Sequence, residues 1–248
     1  MVLSVLAIVF VIYYVALSIL SPVKTYRTLS REWQLNDSLL AVLIHTNKIA
    51  DSAMAVNAWL QSKVKLTDYD SIYLTLNLAD SLLNLELQGI VIHNVKVKKI
   101  RYSKMLRNFT ADVRYSYLSA PFTINHYHST IPKVPIVVKQ APRDTAEANK
   151  INTAPEMPKE DYVHYTLDFD RQLSLTIDQL ERPQNRHFFV AFGTRAGKKW
   201  KYFKNIMTAG VRFRVPEYRL WIRIEIPASD AKTIFRALPE NAPVVVRL

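Results

Sequence analysis

Hydrophobic positions along the chain follow three successive rhythms, and each predicts a different kind of element. From Met1 to Val23 there is no charged side chain, and the stretch Val2 to Leu20 is apolar around the whole circumference of a helix. About 20 helical residues at roughly 1.5 Å each match a hydrocarbon layer about 30 Å thick, whereas the apolar region of a secretion signal is usually about 7–15 residues. A membrane-spanning helix over residues 2–20 is expected. Its rival is a cleavable signal, for which Ala16-Leu17-Ser18 supplies small residues, but no Lys or Arg precedes Lys24.

After Pro22 the pattern becomes amphipathic. Leu35, Val42, Ile49 and Val56 recur at intervals of seven, Leu39, Thr46, Ala53 and Leu60 form a second series, and Leu40, Leu43, Met54 and Trp59 widen the stripe. This spacing predicts a helix packed on its own domain, with self-association through Leu35, Val42, Ile49 and Val56 as the alternative use. Asn36 and Asp37 are candidate caps at a break between a juxtamembrane helix and this longer one.

From Ile72 the period falls to two. Ile72, Leu74, Leu76 and Leu78, then Leu83, Leu85 and Leu87, alternate with more polar neighbours, and Gly89 permits a turn into Ile90 to Val97. Half-buried strands in a three-stranded meander are expected. Further strands are predicted at Phe122 to Tyr127, Ile136 to Val138, Tyr162 to Asp168, Leu173 to Ile177, Phe188 to Phe192, Lys199 to Phe203, Val211 to Val215, Leu220 to Ile226 and Val244 to Val246. Gly193 to Gly197 reads as a hairpin loop, and Ser229-Asp230 as the cap of a short helix from Ala231 to Leu238.

The organisation that follows is an anchor at 1–23, a juxtamembrane and amphipathic helix at 24–66, a first β segment at 67–139, a linker or long loop at 140–161 rich in proline and charge, and a second β segment at 162–248 in the same domain. The fold class is mixed α/β, mainly β, with an antiparallel-rich domain after the helices.

Composition narrows the chemistry. With no cysteine among 248 residues, disulfides, thiolate metal sites and cysteine nucleophiles are excluded. The net charge of +12 favours an anionic neighbour, and much of the excess is local. Between Arg182 and Arg223, eleven Lys and Arg face Glu217 alone, with Trp200, Tyr202, Phe203, Phe213, Tyr218 and Trp221 between them. Arg195, Lys198, Lys199, Trp200, Lys201, Tyr202, Lys204, Arg212 and Arg214 are therefore the candidate partner-binding residues. If the tract is extended, Lys199, Lys201 and Phe203 share one strand face and Trp200, Tyr202 and Lys204 the other. An acidic protein or an anionic lipid surface suits such a tract better than nucleic acid, because the anchor holds it at a membrane and no nucleic-acid-binding motif is present.

Other patterns favour structural roles. His126-x-His128 puts two imidazoles on one strand face, a metal spacing if His164 joined them, but no third ligand is specified. Asp168-Phe169-Asp170 reads as edge charges, His187 as a packed histidine, and the sequons at Asn36 and Asn108 as patterns frequent by chance. No catalytic, cofactor or metal residue is predicted.

Ile72 to Gly89 together with Trp221 to Ala231, Leu238-Pro239 and Pro243 to Val246 are similar to the opening hairpin and closing strands of the L,D-transpeptidase family of bacterial cell-wall cross-linking enzymes. The resemblance covers less than a fifth of the chain. It implies a cell-envelope setting and a periplasmic or extracytoplasmic domain, whereas Lys24, Arg27 and Arg31 after the span point to the cytoplasm by positive-inside counting. The family's nucleophile lies in a Ser/Thr-x-Gly-Cys-x-Arg run. Aligned on Arg223, this chain has Trp221 at the Cys position, so no catalytic residue is carried over and transpeptidase activity is excluded. The expected role is a non-enzymatic, membrane-anchored structural or assembly subunit of the cell envelope, with an envelope hydrolase or transferase as the alternative.

Overall fold

The computed structural model describes residues 2–34, 48–133, 162–181, 203–209, 212 and 214–248. The period-two stretches form nine strands: β1 Tyr73–Asn77, β2 Leu82–Leu87, β3 Ile90–Lys96, β4 Lys99–Tyr102, β5 Phe122–Ser129, β6 His164–Phe169, β7 Leu173–Gln179, β8 Leu220–Ile226 and β9 Pro243–Arg247. Six helices accompany them among the described residues: α1 Val2–Trp33, α2 Lys48–Val64, α3 Lys104–Asn108, α4 Ala111–Leu118, α5 at 203–209 and α6 Ala228–Ala237.

The strands form one mixed sheet in the order β3-β2-β1-β9-β5-β6-β7-β8-β4, so both β segments contribute to it. β1 pairs parallel with β9 and β7 parallel with β8, while the other pairings are antiparallel. The two end strands of that order are consecutive in the chain. Only Val97 and Lys98 separate them; Val97 N–H donates to Ser81 O at 2.8 Å beside β2, and Lys98 N–H to Glu225 O at 3.0 Å on β8. One bent ribbon therefore joins both ends of the sheet and links the strands into a ring through the chain, with β3 paired only to β2 and β4 only to β8.

A single apolar core fills the ring. Leu74, Leu83, Val95, Ile124, Leu167, Leu175, Ile222 and Val244 face inward from successive strands, and Phe109, Tyr117 and Phe235 add rings from the helices. Phe235 packs on Tyr165 with centroids 4.9 Å apart, and Phe122 sits between Tyr117 and Phe169. Such ring pairs add directional energy to the area they bury.

The expected meander β1-β2-β3 forms, with Gln88 and Gly89 as its two-residue second turn at φ 50 and 82. Only glycine enters that region freely, which is the use of Gly89. β1 is not half-buried as the alternation predicts: all five residues are buried, because α2 covers its outward side and Tyr73 packs with Leu66 and Val245.

α2 also turns a different face to the protein than its heptad spacing predicts. Met54, Ala55, Ala58 and Trp59 pack inward while Val56 and Leu60 are exposed, since small residues let the helix lie close to α4 and β9. Leu35, Leu39, Leu40, Val42, Leu43 and Thr46 lie outside the described residues, as do the side chain of Ile49 and the Asn36-Asp37 break.

Three other expectations are corrected. Phe203 and Lys204 begin a helix, not the end of a strand, and Arg212, Arg214 and Val215 lie in a turn and irregular chain where a strand over Val211 to Val215 was expected. α6 starts at Ala228, ahead of Ser229-Asp230; Pro227 is its cap residue and the Glu181 carboxylate accepts the Ala228 N–H at 2.9 Å. A cap supplied from 47 residues away in sequence leaves no local signature. The segments 140–161, Ile136 to Val138, Phe188 to Phe192 and Gly193 to Gly197 lie outside the described residues.

Candidate functional site

α1 carries the first functional feature. On its domain side Leu17, Ser21, Thr25 and Leu29 are buried at steps of four, a single stripe along the helix. The opposite side stays apolar and exposed: Val15, Ile19, Leu20 and Val23 are 40–60% accessible, and Val9 to Ile12 are exposed all round. Among the described residues α1 alone is long and apolar enough to cross a membrane.

The stripe is locked to the ring by specific contacts. Ser21 Oγ donates to Pro216 O at 2.7 Å, Thr25 Oγ1 to Tyr218 O at 3.3 Å, and Tyr26 stacks on Phe109. Trp33 lies over the Arg171 guanidinium, which also sits 3.8 Å from the Phe122 ring centroid. Arg171 donates to the carbonyls of Tyr117, Ala120 and Pro121 at 2.8–2.9 Å, and Tyr117 Oη donates to Arg171 O. Three charge-assisted bonds and the surrounding rings hold Arg171 and Gln172 at φ 48 and 60 in a turn without glycine. The apolar part thus enters the core within one continuous helix, with Pro22 inside it.

The second feature is the outward face of β5–β8. Strand register aligns His126 with Asp168, His128 with Thr166, and His164 with Asp178. His164 Nδ1 meets Asp178 Oδ1, and Arg223 Nε donates to Asp178 Oδ2, both at 2.5 Å. Burial alone would raise the Asp178 carboxyl, but the hydrogen bond and charge of His164, then those of Arg223, hold it below its ordinary value. His164 is 2% exposed, stacks on Tyr162, and its Nε2 has no hydrogen-bond partner among the described residues.

His126 and His128 are exposed on the same sheet, and among the described residues no three His, Asp or Glu come together as a metal site. A cavity bounded by Ile124, Tyr127, Lys133, Leu167, Phe235 and Glu240 holds about 10 Å³, room for one water, and no histidine borders it. Asp168 pairs with Arg219 at 3.8 Å, and Asp170 accepts the Thr123 N–H at 3.1 Å, so neither carboxylate is free for acid–base work. His187 lies outside the described residues.

The third feature is the basic tract. Arg195, Lys198, Lys199, Trp200, Lys201 and Tyr202 lie outside the described residues. Lys204, Arg212 and Arg214 are exposed and, among the described residues, none pairs with a carboxylate. Arg219 and Arg223, by contrast, are neutralised across strands by Asp168 and Asp178. The tract is therefore less unopposed than its sequence suggests, because strand pairing brings in acids from residues 168 and 178.

What residue order does not reveal is the contact between this tract and α1. Phe203 packs on Tyr14 with centroids 5.7 Å apart, Pro216 meets Ser21, and Tyr218 meets Thr25. Comparison with known proteins finds no matching family model, no matching curated protein and no matching solved structure.

Proposed function

We propose that this chain is a non-enzymatic, membrane-tethered structural or assembly subunit of the cell envelope. The observation that carries this reading is the continuity of α1: an exposed apolar helix becomes, within the same helix, a packed component of the ring through Leu29, Tyr26 and Trp33. A domain joined to its anchor this way keeps a fixed orientation to the bilayer and presents the same face to partners. Lys204, Arg212 and Arg214, with the rest of the basic tract, suit acidic or membrane-associated partners. The opening hairpin and the closing strand that resemble the L,D-transpeptidases are neighbours through the β1–β9 pairing, which supports a related scaffold used without the family's chemistry.

Fractionation tests the tether: the protein is expected to stay in the membrane pellet after alkaline carbonate extraction, and recovery in the aqueous extract would overturn the reading. Affinity purification in mild detergent followed by mass spectrometry is expected to return envelope proteins, with salt-sensitive retention.

One observation favours the envelope hydrolase or transferase alternative, namely the His164–Asp178 pair with Nε2 unpartnered. A histidine oriented by a carboxylate is the arrangement a general base requires. Its 2% exposure argues for a structural pair. A His164→Asn variant that folds and retains partner binding is the expected outcome, and loss in that variant of a hydrolytic activity shown by the purified wild-type protein would reverse the choice.

A further inference from the structure

We propose that α5, with Arg212 and Arg214, is a second membrane-seated element, laid against the anchor and held in the headgroup layer by anionic phospholipid. The proposal rests on α1 spanning the bilayer and adds the partner of the basic tract's described part.

The argument is one of level along α1. Its lipid-facing side is apolar and exposed down to Val23, and the first charge is Lys24. Nine helical residues, about 13 Å of rise, separate Val23 from Tyr14. Phe203 packs at the level of Tyr14, so α5 lies on the bilayer side of the boundary that Val23 and Lys24 mark. Described residues further on meet α1 nearer the domain, Pro216 at Ser21 and Tyr218 at Thr25.

The composition suits that depth. Ile206 is fully buried, Phe203 keeps 36% of its surface exposed beside the anchor, and Lys204 and Asn205 point outward. Interfacial helices settle about 5–10 Å into the boundary between headgroups and acyl chains, aromatic side toward the lipid and cations toward phosphate, so the Phe203 ring against Tyr14 marks the deepest point of α5 and its backbone lies above it. Long Lys and Arg side chains reach that phosphate layer from below it. Lys24, Arg27, Lys204, Arg212 and Arg214 are exposed and, among the described residues, unpaired, and Glu217 is the sole acid from 203 to 219. A cationic collar around an apolar helix is complementary to an anionic leaflet.

The chain has no cysteine, so single-cysteine labels report depth cleanly. Full-length protein carrying a fluorophore at Val9→Cys, Asn205→Cys or Ala79→Cys is reconstituted in phosphatidylcholine vesicles with or without phosphatidylglycerol, then challenged with lipid-attached nitroxide and with aqueous iodide. Labels at 9 and 205 are expected to be quenched by the nitroxide and shielded from iodide, and the label at 79 the reverse. Removing phosphatidylglycerol, or reversing Lys204, Arg212 and Arg214 to Glu, is expected to lift the 205 label, with about a fivefold loss of the seated form for each cation. A 205 label open to iodide while the 9 label is shielded would overturn the proposal and leave the anchor intact. Both labels open would overturn the anchor and the proposal together. Equal shielding at 205 in both lipids would overturn the role of anionic phospholipid.

Discussion

The β1–β2–β9 side of the ring and the β6–β7–β8 side share one core yet treat their outward faces in opposite ways. On the first side α2 lies across the sheet: Tyr73, Thr75 and Val245 are buried, and Glu86 at 1% exposure accepts from Lys63 of that helix, Tyr73 and Thr75. On the second side Asp178, 4% exposed, is satisfied from within the sheet by His164 and Arg223, while Trp221, His126 and Arg219 remain accessible. A buried carboxylate can thus serve two ends. Glu86 fastens a helix to a sheet, and Asp178 cross-links three strands of the sheet itself.

The residue both sides depend on is Phe122, at the point where β5 passes from β9 to β6. Phe122→Ala removes a fully buried ring that meets Tyr117, Phe169 and Arg171, and is expected to cost about 3–5 kcal/mol. Urea unfolding of the full chain in detergent, followed by tryptophan fluorescence, measures it. A loss confined to one side, seen as protection from hydrogen exchange surviving in the other, would show that the halves do not share a core.

Next in size is the helix clamp. Glu86→Ala leaves the Tyr73 and Thr75 hydroxyls without their buried acceptor and Lys63 without its 2.9 Å partner, for an expected loss of about 2–4 kcal/mol. Hydrogen exchange is expected to rise in α2 before it rises in β6–β8. Uniform loosening would contradict the separate duties of the two carboxylates.

Asp178→Asn keeps the shape and one acceptor, so a smaller cost of about 1–2 kcal/mol is expected. Its pH signature is more telling. The folded carboxyl titrates below its ordinary 3.8, so its contribution is present above that value and is lost as pH falls through the lower folded value. Wild type is expected to lose stability steeply on acidification, and the Asn variant to lose that part of the slope. Identical acid limbs would remove Asp178 as the electrostatic centre of the β6–β7–β8 side.

The same contrast governs what residue order could reveal. Strands β6, β7 and β8 were legible because alternate positions face a core and a more polar surface, as in Leu220, Ile222, Ile224 and Ile226 against Trp221 and Arg223. β1 misled because a helix buries its second face, and alternation cannot register a cover contributed by another element. The basic run was visible, but its partial neutralisation by Asp168 and Asp178, and its contact with Tyr14, arise from pairings more than 40 residues apart. α5 lies in a stretch whose aromatic content reads as strand, and tertiary packing decided otherwise.

The smallest expected effect is on α2, where the heptad spacing and the packed face disagree. Val56, Leu60 and Val64 stand one turn apart on its outer surface, 36%, 52% and 66% exposed, while Met54, Ala58 and Ser62 face the protein. Val56 and Leu60 belong to none of the packed apolar clusters, so replacing both by Lys is expected to move the unfolding free energy by less than about 0.5 kcal/mol. A larger loss would mean that this row is covered in the folded protein and that α2 packs through two faces. Particle mass by light scattering in detergent separates the remaining issue, because contacts between copies through Val56 require this row to stay apolar. A fall in mass at unchanged stability assigns the row to self-association; unchanged mass leaves α2 with one duty, to roof β1 and β9 through its small residues.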